Sequence, residues 1–165
     1  MQNTTSKIWE KIVELLRERN LTISTMESCT GGGIANLITD ISGASSVLQE
    51  SYVTYCNSAK IKQGVSAKII EQYTVYSPET AIEMAKNAKK NAKSDYGVGV
   101  TGQLGRIDPC NPVDKLNHVW YAIITSKNEI IIQEVKVIDA KRAYQKKQVI
   151  NDIALTLLEL LSNTR

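Results

Sequence analysis

Two β-favouring runs, HVWYAIIT (118–125) and EIIIQEVKV (129–137), are separated only by Ser126-Lys127-Asn128. So short a connection predicts an antiparallel hairpin late in the chain. Earlier strand-like runs are spaced differently. LTISTM (21–26) gives way to a helical IANLIT (34–39), Tyr52, Val53, Thr54 and Tyr55 make a second run, and DYGVGV reads as a buried strand. Between these last two, Ser77-Pro78-Glu79 supplies a cap, a preset φ and an acid at the positive dipole end, predicting a helix to about Lys93. Its Ala81, Met84, Ala85, Ala88 and Ala92 form a small-residue face suited to close packing on a sheet. Residues 6–19 place Ile8, Ile12, Leu15 and Leu16 on one helical face, and a last helix over about 141–162 buries Val149, Ile150, Ile153, Leu157, Leu158 and Leu161. Helices between early strands with a hairpin at the end predict an α/β fold, a three-layer α/β/α sandwich with a mixed central sheet, as one domain over 1–165.

The 165 residues are 42% hydrophobic and 22% charged, enough for one globular core. The sequence predicts no transmembrane span, and the N-terminal run lacks an apolar signal core. Three cysteines, an odd count without CxxC spacing, argue against a zinc site or a disulfide framework and predict a reduced, cytoplasmic protein. Lys86, Lys89, Lys90 and Lys93 make a basic stripe. With a net charge of only +3 and no interleaved aromatics it reads as a solvated face, so nucleic acid is not an expected partner.

The segment with first claim on function is Glu27-Ser28-Cys29-Thr30-Gly31-Gly32-Gly33. It sits where a strand yields to a helix, so backbone N–H groups and the helix dipole can stabilise negative charge there. Taken alone it is ambiguous, because Ser and Thr cap helices and Gly permits tight turns without any chemistry. It has neither P-loop nor nucleophile-elbow spacing. Cys29 is a rival nucleophile in the same setting, or a small packing residue facing away from Ser28.

A serine nucleophile needs a base, and the one histidine, His118, is embedded beside Val119 and Trp120. Lysine can take that role when desolvation lowers its pKa, with a tyrosine hydroxyl positioning the proton. Ser28, Tyr55 and Lys60 therefore make a Ser-Lys hydrolase proposal; otherwise Lys60 is one more solvated lysine. Hydrogen-bonding reach between Ser28 and Lys60 is the discriminating geometry.

ESCTGG, its spacing to YCNSAK, and the later GVSAKII, VYSPETA, ITDISGASSV, DYGVGVTG and DAKRAYQKKQ resemble the C-terminal domain of competence-damage-inducible proteins, through nearly the whole chain. The stand-alone form of that family is nicotinamide-nucleotide amidase. The resemblance implies hydrolysis of the carboxamide of nicotinamide mononucleotide to nicotinic acid mononucleotide and ammonia, without metal or cofactor. It also implies a homodimer, for which small-residue surfaces offer a further argument. Ser28 matches the family's nucleophile, while Tyr55 and Lys60 match the groups that assist proton transfer. Thr30 and Gly31, followed by Gly32, match the turn whose amides hold the oxyanion. Asn57 lies within the Tyr-x-Asn-x-x-Lys stretch, Thr101, Gly102 and Gly105 lie in the loop against the nucleotide, and Arg142 matches the arginine before the final helix, suited to phosphate.

The chain departs from the family where Thr-Gly-Ile-Ala-Gly-Pro becomes Thr101-Gly102-Gln103-Leu104-Gly105-Arg106-Ile107-Asp108, where Pro-Val-Gly-Thr-Val becomes Lys115-Leu116-Asn117-His118-Val119, and where Ser-Asn-Glu-Ala-Lys becomes Cys56-Asn57-Ser58-Ala59-Lys60. Bulkier, charged residues over 102–117 change the shape of the pocket, and Arg106 is either a replacement anion contact or a solvated arginine. Two rivals follow: a non-catalytic nucleotide-binding or protein-interaction homologue, and a hydrolase of another small amide.

Overall fold

The computed structural model describes residues 2–163, with side chains from residue 4. The ends of the expected 1–165 span, residues 1, 164 and 165, lie outside the described residues. In chain order the elements are α1 (Gln2–Glu18), β1 (Ile23–Glu27), α2 (Gly33–Thr39), β2 (Leu48–Val53), α3 (Asn57–Lys62), α4 (Ala67–Tyr73), α5 (Pro78–Ala92), β3 (Tyr96–Gly102), β4 (His118–Ile124), β5 (Ile130–Lys136) and α6 (Arg142–Asn163).

The five strands form one sheet in the order β2-β1-β3-β4-β5. β1 pairs parallel with β2 and β3, whereas β3–β4 and β4–β5 are antiparallel, so the sheet is mixed. The crossover through α2 leads from β1 to one side of the sheet, and the crossover carrying α5 leads back past β1 to β3. Crossovers of one hand that run in opposite directions put their helices on opposite faces. One face accordingly packs Trp9, Ile12 and Leu16 of α1 and Val149, Ile153 and Leu157 of α6 over Ile23, Val98 and Val100. The other carries α5.

The small residues of α5 serve the close approach expected of them. Ala81, Met84, Ala85 and Ala88 are fully buried. A Cβ at Gly97 would lie 2.3 Å from the Ala85 carbonyl oxygen, and one at Gly99 2.4 Å from that of Ala81, so only glycine lets the helix sit so near β3. This face is spent inside the subunit. It gives no support to a dimer, contrary to the expectation drawn from small-residue surfaces.

Helix α5 starts with the Ser77 hydroxyl accepting from the Thr80 N–H and Pro78 as its first residue, and Lys93 closes it in the left-handed region. Of the basic stripe, Lys89 donates to the Thr125 carbonyl and to Asn128 Oδ1, while Lys86, Lys90 and Lys93 are exposed. Among the described residues no helix is long and apolar enough to cross a membrane.

Candidate active site

The three parallel strands end together, β1 at Glu27, β2 at Val53 and β3 at Gly102. β1 is the strand from which the chain first turns one way and then the other, and in open α/β sheets ligands bind beyond the carboxyl ends of strands at such a switch point. A cavity of about 580 Å³ opens there, of the size that takes a small organic ligand.

Strand alternation sorts the first motif into two jobs. Ile23, Thr25 and Glu27 share one face of β1, and Ser24, Met26 and Ser28 continue the other. Glu27, fully buried, turns toward α2 and accepts from the Ile34 N–H at 3.1 Å and the Ala35 N–H at 3.0 Å. A carboxylate on first-turn amides is a strong cap. The motif alone leaves those helix-start amides free for a nucleophile or phosphate; in the fold Glu27 occupies the ones on Ile34 and Ala35.

Ser28, on the opposite face, is 7% exposed and donates its N–H to Val100 O at 3.1 Å. The Gly31 N–H returns to the Ser28 carbonyl at 3.0 Å, and the Gly33 N–H to the Thr30 carbonyl at 3.3 Å. This tight turn requires positive φ at Gly31 (62°) and Gly32 (86°), which is why glycine stands at both. Of the two amides expected to face an oxyanion, Gly31 is thus committed to the turn, while among the described residues no acceptor lies on the Thr30 N–H.

Lys60 is not a solvated lysine. It is 2% exposed, and its Nζ donates to Ser28 Oγ at 3.1 Å and to the Thr54 carbonyl at 2.7 Å. The short α3, which begins directly after Cys56, turns this residue inward. Burial pulls the ammonium down to about 8, opposed by Cys29, Cys56 and the Asp108 carboxylate. A free amine is then accessible near neutrality, within reach of a hydroxyl, which is the geometry a serine nucleophile and its base require.

The other expected residues are distributed less simply. Tyr55 is 64% exposed, and its hydroxyl accepts from Arg142 Nη2 at 3.0 Å rather than meeting Ser28 or Lys60. Arg142 also donates through Nη1 to the Leu104 carbonyl, so the expected phosphate ligand is engaged with its own protein at the cavity rim. Asn57 and Gly102 line the cavity, whereas Thr30, Gly31, Gly32, Thr101 and Gly105 do not. Thr101 Oγ1 donates to the Val75 carbonyl at 2.7 Å and ties β3 to the start of α5. The Gly105 N–H meets Asn117 Oδ1 at 3.2 Å and shapes the loop from within.

Sequence reasoning missed the group that holds this loop in place. Asp108 accepts from the Tyr76 hydroxyl at 2.8 Å, from Asn111 Nδ2 at 2.8 Å and from the Cys110 N–H at 2.9 Å. Asn57, the first residue of α3, donates to Asn111 Oδ1 at 2.9 Å. Four side chains from three separate segments therefore fasten the 103–117 loop to the helix that carries Lys60. These bonds hold the Asp108 carboxyl below its usual range, Asn111 contributing most. The only signal in the sequence was the loop's richness in Asp, Asn, Pro and Gly; nothing in it paired Tyr76 with Asp108.

The rival nucleophile borders the cavity but is poorly activated. Cys29 is 3% exposed and packs in the main core, and burial pushes its thiol up to about 12, which suppresses the reactive thiolate. His118 lies off the cavity and meets Glu134 Oε1 through Nδ1 at 2.6 Å, between β4 and β5. Among the described residues, no three His, Cys, Asp or Glu side chains converge as a metal-binding set.

Fold and site together define a class: an α/β/α sandwich with a buried serine and lysine in hydrogen-bonding contact at the carboxyl ends of parallel strands. The chain belongs to the CinA C-terminal domain family, which it matches over residues 5–162. It is 37% identical over 121 residues to the nicotinamide-nucleotide amidohydrolase PncC of Escherichia coli K12, covering 73% of each chain. It is 45% identical over 97 residues to a CinA-like protein of Kosmotoga olearia, covering 58% of this chain but 24% of that longer one. The chain therefore spans about a quarter of the length of that relative. Among solved structures, the competence/damage-inducible protein CihA of Agrobacterium tumefaciens superposes with a TM-score of 0.86 at 28% identity, covering 96% of both chains.

Proposed function

We propose that this chain is a nicotinamide-nucleotide amidase, hydrolysing the carboxamide of nicotinamide mononucleotide to nicotinic acid mononucleotide and ammonia. The observation that carries the reading is the buried contact of 3.1 Å between Lys60 Nζ and Ser28 Oγ. The likeness to PncC supports the substrate.

In the proposed cycle the neutral Lys60 amine takes the Ser28 hydroxyl proton as Oγ attacks the carboxamide carbon. The oxyanion is assigned to the amides of the 28–31 turn; the Thr30 N–H is the uncommitted one of the expected pair, and it meets the oxyanion only once the turn shifts to bring it to the cavity, which Thr30 does not line. Lys60, now an ammonium, returns the proton to the leaving nitrogen, and ammonia departs from an acyl-serine ester. Water, deprotonated by Lys60, attacks that ester; the carboxylic acid product leaves and Ser28 regains its proton. Tyr55 joins this relay only after releasing Arg142, and Arg142 then has donors for a phosphate at the rim. No metal or cofactor enters a step. We further propose that residues 1–165 act as one domain in the cytoplasm, as a homodimer that light scattering would detect.

Ammonia release from nicotinamide mononucleotide by wild type, Ser28→Ala and Cys29→Ala, each with and without a chelator, tests the reading. Release by wild type and Cys29→Ala alone, unaffected by the chelator, supports it. Full activity in Ser28→Ala sinks the mechanism. The rival reading, a nucleotide-binding homologue without turnover, draws on Tyr55 and Arg142 being bonded to each other; tight binding of the nucleotide with no ammonia released would favour it.

A further inference from the structure

The end of β3 holds a buried amide side chain without a partner. Gln103 follows Gly102 directly; its backbone N–H reaches the His118 carbonyl at 3.1 Å, and its carbonyl accepts from the Asn117 N–H at 2.7 Å. The backbone is therefore satisfied. The side chain is not: Gln103 is 2% exposed, it lines the cavity, and neither Oε1 nor Nε2 has a hydrogen-bond partner. Among the described residues no other buried side chain leaves both an amide donor and an amide acceptor unpaired. Such a group is costly to bury, and an orphan of this kind in a native site calls for a reason.

Two features say what would satisfy it. Continuing the alternation of β3, Gln103 shares the face of Thr101, the one that meets Val75, while Leu104 turns into the main core. The cavity is also graded in depth. Ser28, Lys60 and Gln103 are its buried polar side chains, whereas Tyr55, Arg106, Ile107 and Arg142 are exposed at its rim. Glu27 pairs with Val100 in parallel register, so Ser28 stands beside Thr101 and Gln103 lies two residues further on, on the same face of the sheet. A turn of its buried side chain toward the cavity would meet a group held at Ser28, with the ligand's sugar and phosphate left among the rim charges. The side chain carries N–H donors beside a carbonyl acceptor, the complement of a primary carboxamide.

We infer that Gln103 is a specificity-determining residue that reads the substrate's carboxamide, Oε1 accepting from its N–H and Nε2 donating to its oxygen. The inference rests on the amidase reading above and names the group by which the substrate is chosen. Sites built to hydrogen-bond a polar group reject analogues lacking it because their own buried groups are then left unpaired. The same orphan weakens the empty protein, so loss of the amide has opposite effects on stability and on recognition.

The experiment compares wild type, Gln103→Leu and Gln103→Glu. It reads the melting temperature of the free protein, KM and kcat for ammonia release from nicotinamide mononucleotide, and inhibition by nicotinic acid mononucleotide, which keeps the sugar and phosphate but has no N–H to offer. Gln103→Leu is expected to melt about 3 °C higher. Its KM for the amide rises about tenfold, with a smaller change in kcat, while its affinity for the acid falls less. Gln103→Glu keeps an acceptor and loses less for the amide than Gln103→Leu. A lower melting temperature with unchanged KM would make Gln103 a structural residue and overturn the inference. Equal losses for amide and acid would assign it to the sugar and overturn it too. If wild type releases no ammonia, the amidase reading fails by itself. The inference is then decided by whether nicotinamide mononucleotide raises the melting temperature of wild type and not of Gln103→Leu; no shift in wild type overturns both.

Discussion

The deep end of the cavity and its rim are built on opposite plans. At the deep end Ser28 and Lys60, backed by Glu27 on the opposite face of β1, hang from strand ends or a short helix and are almost wholly buried, each with its hydrogen-bond partners already in place. At the rim, Asp108, Asn111, Tyr76 and Asn57 hold a long loop mainly through side-chain hydrogen bonds, in partly exposed positions. Low dielectric makes each deep contact strong and each deep loss expensive; solvent dilutes the same chemistry at the rim. The difference suggests a division of labour, with reactivity set below and ligand fit adjusted above.

The sharpest way to break that division is at the pair itself. Ser28→Ala and Lys60→Met are each expected to cut kcat by about 10³-fold or more while circular dichroism shows the fold retained. If the two groups act as a unit, as proposed, their losses should not add in the double variant. Next comes the cap. Glu27→Ala strips two charge-assisted bonds from the start of α2 and should cost about 3 kcal/mol in urea unfolding, against less than about 1 kcal/mol for Asn111→Ala at the rim. Equal costs would erase the distinction.

Proton activity offers a third lever. In the proposed mechanism Lys60 acts as base only when neutral, and burial brings it down to about 8, so log kcat/KM should climb with pH and level off above about 8. The sign for stability follows from the same shift. Between about 8 and the ordinary 10.5, the unfolded chain holds a proton on this lysine that the folded one has released, so this group makes folding more favourable as pH rises through that window. Because the Asp108 carboxylate opposes the lowering, Asp108→Asn should move the midpoint of the rate profile downward. That coupling is one place where rim and deep end communicate.

Rim variants should have smaller effects. Tyr76→Phe removes one donor to Asp108 and is expected to raise KM about threefold with kcat nearly unchanged, and to speed hydrogen exchange over residues 104–116. A fall in kcat at constant KM would mean that the loop participates in the chemistry. Least affected of all should be Cys29→Ala, with activity close to wild type and a loss of about 1 kcal/mol from packing. A thiol reagent applied to the folded protein should label the exposed Cys56 and Cys110 and spare Cys29.

Much of the architecture was legible because it rests on local rules. The hairpin followed from a three-residue connection, the start of α5 from Ser-Pro-Glu, and the α5–sheet contact from the small-residue face of α5, whereas the part played by Gly97 and Gly99 showed only in the fold. The candidate pair was legible as residue types, Ser28 in a strand-to-helix turn and Lys60 shortly after a strand. Their contact was not, because it depends on where α3 sets Lys60 relative to the end of β1 and on the burial of that side chain. The same limit hid Glu27. As a letter in the motif it looked like a neighbour of the nucleophile, and only the alternation of β1, once α2 was packed on its face, made it the cap that consumes the amides first credited to Ser28.

Sequence by itself determined the chain order of the strands and of every helix except α3 and α4, the turn that needs glycine at 31 and 32, and the residue types from which a serine–lysine site can be made, since propensity, periodicity and turn chemistry act between near neighbours. Tertiary structure alone decided that Lys60 is buried, that Tyr55 pairs with Arg142, that Asp108 fastens the loop and that Gln103 is stranded in the wall. Each of those depends on which surfaces from distant parts of the chain exclude water together, and burial is a property of the assembled fold rather than of any segment.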